Sequence, residues 1–75
     1  MIKELFSQQL REARKSAGLT QQELADRCEM SLRYLQNLEK GEKQPTITTL
    51  FKLAAGLKTT PQQLIKSIWE QWHKG

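Results

Sequence analysis

The sequence contains one cysteine, one histidine and no apolar run approaching the ~18 residues that a membrane-spanning helix requires. With Cys28 alone, no internal disulfide can form, and the residue reads as a small core side chain rather than a redox or metal group. His73, near the C-terminus, has no companions with metal-ligand spacing, which excludes a zinc centre. No Gly-rich phosphate loop occurs. The serines and threonines fall at helix starts rather than beside a histidine base, so nucleophilic catalysis has no candidate residues. The opening Met1-Ile2-Lys3-Glu4 lacks the basic-then-apolar order of a signal peptide, and no repeat, linker or low-complexity segment interrupts the chain. Strand-like alternation is missing throughout. These absences predict a soluble, cytoplasmic, all-α protein that is not an enzyme and needs no cofactor or metal.

The 75 residues suffice for one domain, expected over 1–75. A chain of this size buries only about 60% or slightly more of its unfolded surface, so the core is small. Twelve Lys and Arg against eight Asp and Glu leave a formal charge of +4. Polyanions attract such a chain, nucleic acid foremost. The charge is also segregated: Glu23, Asp26 and Glu29 cluster, whereas Lys40, Lys43, Lys52 and Lys58 dominate the stretch C-terminal to them.

Stop and start signals divide the chain into five helical stretches. The first, about Ile2 to Ala17, places Phe6, Leu10, Ala13 and Ala17 on one face, and Gly18 ends it as a left-handed residue. Thr20 with Glu23 three residues on is a capping box that opens a second helix, with Leu24, Ala25 and Cys28 inward. Ser31 caps a third, Leu32 to Lys40, ended by Gly41. Thr46 caps a fourth, with Ile47, Leu50, Phe51, Ala54 and Leu57 apolar. Thr60-Pro61-Gln62-Gln63 forms a second capping box for a fifth helix at about 61–73, holding Leu64, Ile65, Ile68, Trp69 and Trp72.

The second and third helices are joined by only about three residues, which forces a steep crossing of the helix-turn-helix type, at about 20–41. Ala25 sits where the two approach and leaves no room for a larger side chain. Around the third helix, Ser31, Leu38 and Glu39 lie within about 60° of the inward Leu35, while Arg33, Asn37 and Lys40 fall opposite with Gln36 beside them. Arginine binds guanine bidentately in a major groove, and Asn or Gln does the same to adenine; the competing reading of this face is simple solvation. Glu39, turned inward, requires a partner. Arg14 on the first helix is the candidate for a bidentate pair, the alternative being a splayed, solvated carboxylate.

Taken together, Leu19-Thr20-Gln21-Gln22-Glu23-Leu24-Ala25, Leu35-x-x-Leu38-Glu39-Lys40-Gly41 and Pro45-Thr46-Ile47-x-x-Leu50-x-Lys52-Leu53-Ala54 resemble the lambda-repressor/Cro-like (XRE) helix-turn-helix family over about Leu5 to Ile68. The resemblance implies a compact five-helix DNA-binding domain whose third helix enters the major groove of a palindromic operator bound by a homodimer. It further implies base contacts from Leu32, Arg33, Gln36 and Asn37, and phosphate contacts from Thr20, Gln21, Ser31, Lys40, Lys43, Gln44 and Thr46. Gln21 would use both its backbone amide and its side chain, and Arg14 and Glu39 would form the buried pair. Three positions depart from the pattern. Glu29 replaces the usual turn glycine and must take a positive φ or alter the turn. Leu32 stands where glutamine is frequent, favouring a thymine methyl. In Ala55-Gly56-Leu57-Lys58 the glycine precedes the leucine.

The apolar stripe of the fifth helix is wider than one small core can cover. Either Trp69 and Trp72 close the bottom of the domain, or Leu64 and Ile68 enter the core while Ile65, Trp69 and Trp72 form a two-fold interface; the stripe's width favours the latter. The leading expectation is a dimeric repressor or activator of transcription, an architecture shared by restriction-modification controllers. An antitoxin-type module bound to a partner protein is the alternative, and a toxin or RNA polymerase are the protein partners such a chain could meet. A scaffold without DNA contacts is disfavoured by the outward Arg33, Asn37 and Lys40.

Overall fold

The computed structural model describes residues 1–74 as five helices: α1 (Ile2–Ser16), α2 (Gln21–Arg27), α3 (Leu32–Glu39), α4 (Ile47–Gly56) and α5 (Pro61–Lys74). Each helix contributes at least one fully buried leucine, namely Leu10, Leu24, Leu35 and Leu38, Leu53, and Leu64. This single apolar centre determines the arrangement. α1 packs against α3 and α5, α2 against α3 and α4, and α4 against α5.

Side-chain caps start α2, α3, α4 and α5, whereas α1, with Met1 at its N-cap, begins without one. Thr20 Oγ1 accepts from Glu23 N–H while Glu23 Oε1 accepts from Thr20 N–H at 2.8 Å, closing the capping box. The second of these, donated by the Thr20 main-chain N–H to the carboxylate, is the largest cause holding the Glu23 carboxyl below its usual range. Ser31, Thr46 and Thr60 accept from Tyr34, Thr49 and Gln63 N–H, each at 3.1 Å.

The first four helices end alike. After each C-cap the next residue is left-handed, and its successor's N–H reaches back to the carbonyl five residues earlier: Leu19 to Arg14, Met30 to Ala25, Glu42 to Asn37, Thr59 to Ala54. Gly18 and Gly41 occupy two of these positions; Glu29 (φ 55°) and Lys58 (φ 57°) occupy the others. Glu29 therefore keeps the usual turn and accepts the positive φ.

The Gly56 displacement has a steric reason. α4 crosses α2 so closely that a Cβ on Gly56 would lie 2.4 Å from Cys28 Sγ. Glycine is required inside the helix at 56, and the left-handed position two residues later is held by Lys58. Burial pushes the Cys28 thiol up from its ordinary range, consistent with an inert packing role.

Three apolar positions noted in the sequence lie outside the core. Ala17 is exposed, because it is the C-cap where the chain turns away from the core. Ile47 and Phe51 are 73% and 60% exposed. The inward line of α4 is Leu50, Leu53, Ala54 and Leu57, spaced i, i+3, i+4 and i+7, which leaves Ile47 and Phe51 to one side.

Candidate nucleic-acid interface

The three-residue turn Cys28–Met30 and the Ser31 cap aim the first turn of α3 outward. Leu32, Arg33, Gln36, Asn37 and Lys40 then line one open hollow, joined at its edge by Glu42. Arg33 and Lys40 are exposed, whereas Leu32, Gln36 and Asn37 are half-buried. The hollow thus combines an apolar contact, two amides and two cations on one face of a helix anchored from behind.

That anchor is polar. Arg14 Nε donates to Glu39 Oε2 at 2.7 Å and Nη2 to Oε1 at 3.1 Å, with Glu39 only 3% exposed. Arg14 Nη1 also donates to the Leu19 carbonyl at 3.0 Å, satisfying the chain between α1 and α2. Arg11, one turn earlier on α1, donates to the main-chain carbonyl of Glu39. Two arginines of α1 therefore grip the C-terminal end of α3, one by its side chain and one by its backbone. Cations there also complement the helix dipole.

Gln21 is turned inward. Its Nε2 donates to Glu39 Oε1 at 3.1 Å, and its Oε1 accepts from Gln36 Nε2 at 3.4 Å. The side chain expected at phosphate is thus engaged with the ion pair and with α3. Of the hydroxyls expected at phosphate, Thr20 and Ser31 use only their acceptor side as caps and retain a proton to donate. Thr46 gives its proton to Thr49 Oγ1 at 3.0 Å, an oxygen that also lies 3.3 Å from Tyr34 Oη. Lys43 is exposed in the loop before α4, but Gln44 faces a different surface, the apolar hollow between α1 and α5.

The helix-turn-helix family model matches residues 10–64 of the chain. The HTH-type transcriptional regulator y4dJ of Sinorhizobium fredii is 34% identical over 85% of this chain and 83% of its own length. The control protein C.BamHI of Bacillus amyloliquefaciens is 28% identical over 85% of this chain and 80% of its own. Among solved structures, the restriction-modification controller protein C.AhdI of Aeromonas hydrophila superposes with a TM-score of 0.80 at 32% identity, covering 83% of this chain and 94% of that one. The chain belongs to the lambda-repressor/Cro-like helix-turn-helix family. Members of this family are transcription regulators, not enzymes, and α2 and α3 are the DNA-binding motif.

In this helix-turn-helix protein a second surface is apolar. Ile2, Phe6, Leu50, Ile65, Trp69 and Trp72 border one hollow between the start of α1 and α5. Leu64 and Ile68 of the same helix are buried, while Ile65, Trp69 and Trp72 are 37%, 56% and 49% exposed. The two indoles lie 6.0 Å apart, and His73 stacks on Trp69 at 4.7 Å. No helix among the described residues is long and apolar enough to cross a membrane.

Sequence reasoning missed Arg11 and Glu42. Arg11 carried a signal, since it lies three residues before Arg14 and so on the same face of α1. Glu42 carried none, because only the turn after Gly41 brings it beside α3.

Proposed function

We propose that this regulator binds a short palindromic operator as a homodimer, reading bases with the outer face of α3. The observation carrying this reading is the convergence of Leu32, Arg33, Gln36, Asn37 and Lys40 on one hollow. The clamp of Arg14 and Arg11 behind them holds that helix face as a rigid reader. Arg33, in the first turn, is assigned to a base edge, and Leu32 to a thymine methyl. Lys40 and Lys43, with the Thr20, Ser31 and Gln21 region at the start of each helix, are assigned to phosphates. With its side chain committed, Gln21 has its main-chain amide left for this. Ile65, Trp69 and Trp72 are assigned to the two-fold interface. Similarity to C.AhdI and C.BamHI over most of each chain favours a restriction-modification controller among the regulatory contexts open to such a chain.

Binding to selected and scrambled duplexes across a salt series tests the assignment. Arg33→Ala is expected to cost about 1–3 kcal/mol per subunit on the selected site and to relax one position per half-site. Lys40→Ala is expected to weaken both duplexes alike and to shrink the salt slope by about one unit for each phosphate it no longer neutralises. The half-sites are expected about 34 Å apart, one helical turn. Equal losses on both duplexes for Arg33→Ala would make it a phosphate clamp and overturn its role in base reading.

A further inference from the structure

We infer that the buried ion pair dictates the polarity with which Gln36 meets DNA, so that Gln36 presents its carbonyl oxygen and selects an exocyclic amine, adenine N6 or cytosine N4. This rests on the reading of α3 as the base-reading helix.

The chain of donors starts at Glu39. Both of its carboxylate oxygens receive N–H groups of Arg14, at 2.7 and 3.1 Å, so the group is an ion that can only accept. A glutamine amide has one end that donates and one that accepts. Gln21, 3.1 Å from Glu39 Oε1, must therefore point its amino end at the carboxylate. Its carbonyl oxygen then faces Gln36 at 3.4 Å, and Gln36 in turn must supply an amino group. Were Gln36 reversed, two carbonyl oxygens would oppose each other on a half-buried surface, leaving both acceptors without a donor. Each link donates toward the ion pair, and what Gln36 has left for the hollow shared with Arg33 and Asn37 is its carbonyl oxygen, beside the second N–H of the same amide.

In the major groove, adenine and cytosine offer an amine where thymine and guanine offer a carbonyl oxygen. With its carbonyl oxygen turned to the groove, an oriented Gln36 accordingly favours A or C over G or T on the strand it faces. Arg33, which only donates, has the opposite preference. The face thus carries two readers of opposite sign, one intrinsic to its side chain and one imposed through Gln21.

The test is competitive binding of the full chain to duplexes carrying all four bases at each position of a selected half-site. Gln36→Ala locates the position that Gln36 reads, as the one where discrimination collapses. There the unsubstituted protein is expected to favour A or C over G or T by about tenfold or more. Gln21→Met, close in size but without the relay, is expected to lower affinity for every duplex and also to bring that one ratio close to one. Arg33→Ala is expected to leave that ratio unchanged. A preference for G or T at the Gln36 position overturns the inference, as does a ratio that survives Gln21→Met in a protein whose helical spectrum is intact. If Gln21→Met does not fold, the preference of the unsubstituted protein at the position located by Gln36→Ala decides alone. If Gln36→Ala relaxes no position while Arg33→Ala relaxes its own, the relay is wrong and α3 still reads DNA. If neither relaxes any position, the reading of α3 itself fails.

Discussion

At Glu29 the backbone adopts φ 55° with a side chain that gains nothing visible from the conformation. A Cβ in this region costs about 1 kcal/mol or somewhat more, offset in part by the extra freedom glycine has in the unfolded chain. Glu29→Gly is therefore expected to raise stability by a few tenths to about 1 kcal/mol, measured by urea unfolding with an unchanged slope. A drop in stability would mean that the carboxylate has a favourable role in the turn. Glu39 presents the opposite case. Removing it as Glu39→Ala leaves Arg14, only 12% exposed, with the Leu19 carbonyl as its remaining partner. The expected loss is about 2–4 kcal/mol. A thermal melt unchanged by the substitution would show the pair to be energetically idle. Sequence alone suggested this pair, because Glu39 falls on the inward side of its helix and Arg14 faces it from α1. It could not show Gln21 joining them, since glutamine opening a helix is ordinarily a solvent-facing residue.

Among the elements, α4 departs furthest from its pattern. Its apolar residues extend around more than half of the helix, so periodicity by itself left open which of them face inward. Packing buries Leu53, Ala54 and Gly56, because α4 must approach α2 at Gly56 and also packs on α5. Gly56→Ala makes this contact measurable. Helix propensity alone predicts a gain of about 1 kcal/mol for the substitution. The 2.4 Å approach to Cys28 Sγ predicts instead a net loss of about 1–2 kcal/mol, the overpacking term exceeding propensity. Cys28→Ala in the same chain removes the obstructing sulfur and is expected to recover part of that loss. Stabilisation by Gly56→Ala alone would show that the two helices separate cheaply. The helix boundaries were far more legible than the faces. Caps and left-handed ends are local hydrogen-bonding devices spanning four to six residues, so they can be read without knowing what packs on them.

For the whole molecule, the exposed indoles of α5 carry the main consequence. Trp69 and Trp72 are about half exposed while Leu64 and Ile68 are buried, so replacing both indoles by glutamine opens no interior cavity. The double variant is expected to stay helical, to sediment as a monomer and to bind operator much more weakly, since each half-site then loses its tethered neighbour. The unsubstituted protein is expected to dimerise with a micromolar dissociation constant or slightly tighter, given the small area available. A dimer that persists in the double variant would place the interface elsewhere, and the exposed Ile47 and Phe51 of α4 are the next surface to substitute.

The amino-acid sequence by itself determined the five helices, their caps and turns, the helix-turn-helix spacing and the outward set on α3, because each follows from interactions between residues close along the chain. The tertiary structure decided the rest. It set which side of α4 is buried, why glycine stands at 56, how Arg11 reaches the end of α3 and where Gln44 faces. It also joined Gln36 through Gln21 to the ion pair. These are contacts between residues distant in sequence, whose partners and donor directions exist only once the helices have packed.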